Sequence, residues 1–164
     1  MKKFNTLLLA TVLGLSVAGP GGASERAAPA HDHAHEHGAE ATTLQLNDGR
    51  KWETDAPLRA SMGRIRKAMS GALHAIHADR LSPKAYDRLA QTVEREVGRI
   101  VAECRLPAAA DAQLHLVVAE LLAGAERMAG KADGQRRAGA VQVIGALDDY
   151  GGHFDHAGFK PLAH

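Results

Sequence analysis

The feature that most constrains this chain is the recurrence of apolar residues at spacings of three and four in four consecutive segments. Such spacing places apolar side chains on one face of an α-helix. The first segment shows it from Leu58 to Ile76, and the second from Tyr86 to Cys104. Aromatic residues make up only 4% of the sequence, which suits close-packed helices better than packed sheets. The sequence therefore predicts an all-α fold, an antiparallel up-down-up-down four-helix bundle.

Capping residues, prolines and glycines predict where these helices begin and end. Thr54 or Asp55 can cap the first helix, and Ser82 can cap the second. The expected helices cover residues 54–79, 82–106, 111–128 and 135–150. Asp111 is the expected start of the third helix, and the pair Gly151-Gly152 is expected to end the fourth. The bundle with its C-terminal tail is thus predicted to occupy residues 54–164.

The first 23 residues are typical of a secretory signal peptide. Lys2 and Lys3 precede a short apolar run, and Gly21-Gly22-Ala23 supplies small residues for cleavage. A membrane anchor is the alternative, but the run is shorter than the roughly 20 residues that span a bilayer. We expect export to the periplasm, a disordered tail over 24–43 and an extended arm over 44–53.

A histidine tract lies within that tail. Its four histidines alternate with Asp32, Ala34 and Glu36: His31, His33, His35 and His37. Imidazoles bind Zn(II), Cu(II) and Ni(II), and in an extended chain all four could share one side. The tract therefore predicts metal binding, the alternative being a solvated low-complexity segment with incidental affinity.

Cys104 is the only cysteine, so it has no disulfide partner within the chain. Because it continues the apolar stripe of Ile100, one interpretation is a small buried hydrophobe. The others are a thiolate metal ligand and a disulfide to another molecule.

Bundle geometry predicts a second metal site at the end where the second helix stops. Helical rise places Met62 and His115 at similar depth from that end, near Cys104 and near either His153 or His156. Thioether, thiolate and imidazole groups together favour copper. In the alternative interpretation Met62 fills the core and the histidines cap helix ends.

The segment L-R-A-S-M-G-R-I, the four helices, the late histidine and the export signal together resemble the cytochrome b562 type of periplasmic bundle. The resemblance implies a haem cofactor bound by Met62 and His153. Covalent c-type attachment is excluded because Cys-x-x-Cys-His is absent from the sequence.

A second resemblance covers nearly the whole chain after the signal peptide. L-N-D-G-R-K-W-E-T-D-A-P-L-R, I-V-A-E-C-R-L-P and F-D-H-A-G-F are similar to segments of a family of small exported proteobacterial proteins with histidine-rich N-termini. This resemblance implies the fold and the export, and it implies no reaction.

The net charge and the absence of known catalytic motifs reduce the number of function classes that fit this sequence. A formal charge of +1 calls for neither nucleic acid nor an anionic membrane as a partner, and we expect no stable membrane insertion once the signal peptide is removed. No phosphate-binding loop, nucleophile elbow or His-Glu-x-x-His occurs, so we expect no enzymatic activity. We predict a periplasmic protein that binds copper or zinc for sequestration or handover. The alternatives are a haem-binding electron-transfer bundle and a metal-free scaffold for an envelope protein partner.

Overall fold

A computed structural model describes residues 43–162 of the chain. It contains four helices: α1 Ala56–His77, α2 Pro83–Glu103, α3 Ala108–Met128 and α4 Arg136–His153. Within the described residues there are no strands, only two isolated β-bridges. The predicted all-α class with four helices is therefore confirmed. The predicted signal peptide, disordered tail and histidine tract lie outside the described residues.

Two of the helix starts follow the predicted capping chemistry. The Asp55 carboxylate accepts a hydrogen bond from the backbone N–H of Leu58 at 2.8 Å, at the start of α1. Ser82 does the same for Ala85 at the start of α2, and both helices have a proline in their first turn. These side chains satisfy N–H groups that have no partner inside the helix.

Two predicted boundaries between α2 and α3 are wrong. Helix α3 begins at Ala108, three residues before Asp111, and no side chain caps it. Pro107 precedes it directly, and its fixed φ of −56° suits a chain entering a helix. Helix α2 ends at Glu103, since Cys104 is already extended with ψ 141°.

The prediction that Gly151-Gly152 ends α4 is also wrong, because the helix continues to His153. The chain beyond the helix folds back over this turn. A Cβ added at Gly151 would lie 3.2 Å from the ring of Phe159. Glycine therefore lets the returning ring lie against the last turn of the helix.

The core is formed by all four helices. Its largest fully buried side chains include Leu58, Met62, Ile65, Leu121 and Tyr150. Helices α3 and α4 share the most extensive interface, and α2 packs on both α1 and α3. At the α3–α4 interface Gly124 and Gly139 allow the two backbones to touch.

The arm before α1 is tied to the end of α4. The backbone N–H of Trp52 donates to the carbonyl of His153, and that of Asp155 donates to the carbonyl of Trp52, both at 2.8 Å. The Trp52 indole N–H donates to the carbonyl of Gln45 at 2.6 Å. Asp48 and Gly49, both at positive φ, form the turn in this arm. The start of α1 and the end of α4 are thereby held together.

One described helix, α3, is long and apolar enough to cross a membrane by length and composition alone. Core helices of soluble proteins meet the same criterion, and α3 contributes Leu114, Val117 and Leu121 to the core.

Candidate functional site at one end of the bundle

Asp55 joins the start of α1 to the end of α2. Besides capping α1, it accepts a hydrogen bond from the backbone N–H of Arg105 at 2.6 Å and one from the Cys104 thiol at 3.5 Å. Burial alone would raise the pKa of Asp55. The hydrogen bonds from Arg105, Leu58 and Cys104, together with the charge of Arg59, outweigh burial and lower that pKa. The carboxylate therefore stays ionised at neutral pH.

Cys104 is half-buried against the core, and its thiol donates a hydrogen bond to the Asp55 carboxylate. Burial, the hydrogen bond to Asp55, and the charges of Asp55 and Asp111 raise the pKa of the thiol to about 12. The charge of Arg105 acts in the opposite direction without reversing the shift. At neutral pH the group is therefore a thiol, and a metal ion would have to displace its proton before binding sulfur.

Cys104 and His115 line the same groove between α2 and α3. The groove has a volume of about 270 Å³, and its other walls are Ile100, Val101, Asp111, Leu114 and Val118. The His115 side chain is 73% exposed, and its Nδ1 lies 2.8 Å from the carbonyl oxygen of Asp111. The Nε2 atom is the one left to meet a ligand in the groove.

His156 lies in the C-terminal tail against Tyr150 of α4. The Tyr150 hydroxyl and His156 Nδ1 are 3.1 Å apart, and Tyr150 is fully buried. Burial and the charge of Arg59 lower the pKa of His156, while burial raises that of Tyr150. Whichever of the two groups donates, this contact already engages the Nδ1 atom of His156.

Met62 and His153 face different surroundings. Met62 is fully buried among core side chains. His153 ends α4, and its Nδ1 lies 2.8 Å from the carbonyl oxygen of Asp149. Neither the Cys104 groove nor a larger cleft beside Trp52 is lined by Met62, His153 or His156. Over residues 43–162 there is no group of three or more His, Cys, Asp or Glu side chains placed to hold a metal ion.

Haem ligation by Met62 and His153 does not fit this arrangement. A haem iron could reach the Met62 sulfur only after the surrounding core had opened, because the side chain has no exposed surface. Helical rise predicts the depth of Met62 and His153 along their helices but gives no information on the rotation of each helix about its axis.

Asp55 and Tyr150 are the residues of this site that sequence reasoning missed. Asp55 was identified only as a helix cap, and its contacts with Cys104 and Arg105 span 49 and 50 residues. No sequence pattern signals such a contact. A tyrosine at the end of a helix with a histidine six residues later is a weak signal for the Tyr150–His156 pair.

Comparison of the chain with protein-family models, with curated proteins and with solved structures found no match. The two resemblances described from the sequence therefore stay predictions.

Asp55→Asn is expected to destabilise the protein by about 1–2 kcal/mol at pH 7, because an amide cannot accept from both Leu58 and Arg105 as the carboxylate does. The folded-state pKa of Asp55 is lowered, so its stabilisation is present above the unfolded-state pKa and is lost as pH falls through the folded-state value. Urea unfolding at neutral and acidic pH measures both effects. Asp133→Asn, in an exposed turn, is the matched control. Equal acid-induced losses of stability in Asp55→Asn and in the unsubstituted protein would contradict this account.

Proposed function

We propose that this protein is exported to the periplasm and binds copper or zinc there, for sequestration or handover to another protein. The histidine tract from His31 to His37 is the observation that carries the proposal. The signal-like residues 1–23 and the small-residue cleavage site support the location.

Ligand chemistry supports copper or zinc over harder ions. Four imidazoles within seven residues are borderline-soft nitrogen donors, and Asp32 and Glu36 add oxygen donors and negative charge. Calcium and magnesium prefer sites made of oxygen ligands alone. Imidazole must be neutral to bind a metal, so affinity falls as pH drops below the histidine pKa of roughly 6.5.

The bundle serves in this proposal as the stable body to which the tract is attached, with an up-down-up-down antiparallel topology. The groove beside Cys104 and His115 is a candidate secondary position for the metal during handover. It presents a protonated thiol and one exposed imidazole, so a partner protein would have to supply further ligands.

Replacing His31, His33, His35 and His37 together by Gln is expected to weaken Zn(II) and Cu(II) binding at least tenfold, roughly 1.4 kcal/mol or more, because all the imidazole donors of the tract are lost. Competition with a chromophoric chelator measures the affinities. The matched control replaces four histidines of the bundle by Gln: His74, His77, His115 and His153. Cys104→Ala tests the groove separately.

We expect the bundle variant and Cys104→Ala to retain affinity within about twofold. Unchanged affinity in the tract variant would contradict the proposal. If the unsubstituted protein binds neither metal more tightly than about 1 μM, sequestration at low metal concentration is excluded.

A metal-free scaffold for an envelope protein is the second candidate. The observation favouring it is Val101, which is 73% exposed beside the apolar wall of the Cys104 groove. Contiguous exposed apolar surface marks protein contact sites, and Val101 extends the apolar wall formed by Ile100, Leu114 and Val118. Partner capture that persists in the histidine-tract variant but is lost in Val101→Lys would favour this candidate.

A further inference from the structure

The net charge of the chain is near zero, but its charged residues are unevenly distributed over the four helices. Helices α1 and α2 carry eight basic and four acidic residues, and α1 carries no acidic residue at all. Helices α3 and α4 carry three basic and five acidic residues. The α1–α2 side is therefore positive and the α3–α4 side negative.

Two of the acidic residues of α2 do not neutralise that positive side. Asp87 pairs with Arg136 of α4 at 2.5 Å. Glu94 pairs with Lys131, in the turn between α3 and α4, at 3.1 Å. Both carboxylates thus compensate cations that belong to the other half of the bundle.

A third acidic residue, Glu96, forms ion pairs with three arginines of α1 and α2. Its side chain is 3% exposed and lies 2.7 Å from Arg64 of α1, 2.9 Å from Arg99 and 4.0 Å from Arg95. Burial alone would raise the pKa of Glu96, but Arg64 and Arg99 lower it, so the carboxylate is ionised. One negative charge is surrounded by three positive ones.

The arginine side chains in this cluster remain half in solvent. Arg64, Arg95 and Arg99 are 47%, 55% and 45% exposed. Arg64 also donates to the Ser61 hydroxyl, and Arg95 to the Thr92 hydroxyl. These contacts restrict the side chains, so less conformational entropy is lost when a further anion binds.

Helical spacing extends the cluster along both helices. Lys67 lies three residues from Arg64 on α1, and Arg88 lies seven residues from Arg95 on α2. Both are exposed. We call the resulting set the basic face, and its members are Arg64, Lys67, Arg88, Arg95 and Arg99. Glu103, an exposed carboxylate four residues after Arg99, bounds this face at the end of α2.

We propose that the basic face docks this protein on the surface of an anionic phospholipid bilayer. Guanidinium groups bind phosphate oxygens in pairs, and an anionic bilayer offers many phosphates in one plane. The five cations of the basic face lie on two neighbouring helices and can contact several phosphates of that plane at once. Among residues 43–162, the large exposed apolar residues are Leu46, Val101 and Val141, and none of them belongs to the basic face, so this face adsorbs without inserting.

The test is sedimentation with phosphatidylcholine vesicles, with and without phosphatidylglycerol, in chelator at neutral pH. The protein used begins at Ser24, so the apolar run of the signal segment does not bind the vesicles itself. We expect binding only to the vesicles that contain phosphatidylglycerol, and loss of that binding at high salt. Lys67→Gln/Arg88→Gln/Arg95→Gln is expected to weaken it at least about tenfold while Arg64 and Arg99 keep Glu96 paired.

The matched control is Arg50→Gln/Lys51→Gln/Lys160→Gln, which removes the same charge elsewhere and should change binding by less than about twofold. Lys67→Glu, a single exposed change, gives a second variant of the basic face and should weaken binding in proportion. Absence of vesicle binding, or an equal loss in the control, would overturn the proposal.

Discussion

Alkylation of Cys104 by iodoacetamide at neutral pH is expected to be about 100-fold slower in the folded protein than in the same protein unfolded in urea. A thiol with a pKa near 12 has about three orders of magnitude less thiolate at pH 7 than one near 8.5. The greater nucleophilicity of the more basic thiolate recovers part of that difference. Mass spectrometry over a time course measures both rates.

Asp55→Asn provides the internal control for the cause. Asn at position 55 removes the negative charge that raises the pKa of the thiol, while its amide oxygen can still accept a hydrogen bond and Cys104 keeps its burial. Alkylation of the folded variant should then accelerate by roughly tenfold. Equal rates for folded and unfolded protein would show that Cys104 is reactive in the folded protein and would support its role as a thiolate metal ligand.

Gly139→Ala is expected to destabilise the protein by about 3 kcal/mol or more, because α3 and α4 touch backbone to backbone at this position. A Cβ there would lie 2.5 Å from the carbonyl oxygen of Gly124 and 2.7 Å from the backbone nitrogen of Met128. Neither atom can move without separating the helices. Urea unfolding followed by circular dichroism measures the loss.

Gly145→Ala on the same helix is the matched control. Its Cβ would have no neighbour within 4 Å, so the better helix propensity of alanine should stabilise the protein by about 0.5–1 kcal/mol. No local sequence pattern distinguishes these two glycines, which both occupy positions inside the predicted fourth helix. Similar stabilities for Gly139→Ala and Gly145→Ala would contradict the close approach of α3 and α4.

The fold was predictable where it depended on local pattern. The apolar stripes from Leu58 to Ile76 and the caps at Asp55 and Ser82 depend on neighbours within a few residues. The end of α4 was not predictable, because its last turn is stabilised by Phe159 folding back and by Trp52. Contacts between distant residues decided that boundary.

The candidate site was likewise predictable only where it depends on positions along a single helix. Helical rise placed Cys104 and His115 at the same end, and they line one groove. Rotation about the helix axis, which depends on packing, turns Met62 into the core and His115 toward solvent. The charged pairing of Glu96 with Arg64, 32 residues apart, was equally beyond any local pattern.

The central claim, metal binding through the histidine tract, is tested most directly by the metal content of the protein. The measurement is elemental analysis of untagged protein purified without chelator from its own cells, beside the variant in which His31, His33, His35 and His37 are Gln. We predict copper or zinc in the unsubstituted protein and much less in the variant, because the tract supplies the imidazole ligands. Equal copper and zinc in the two proteins would contradict the claim.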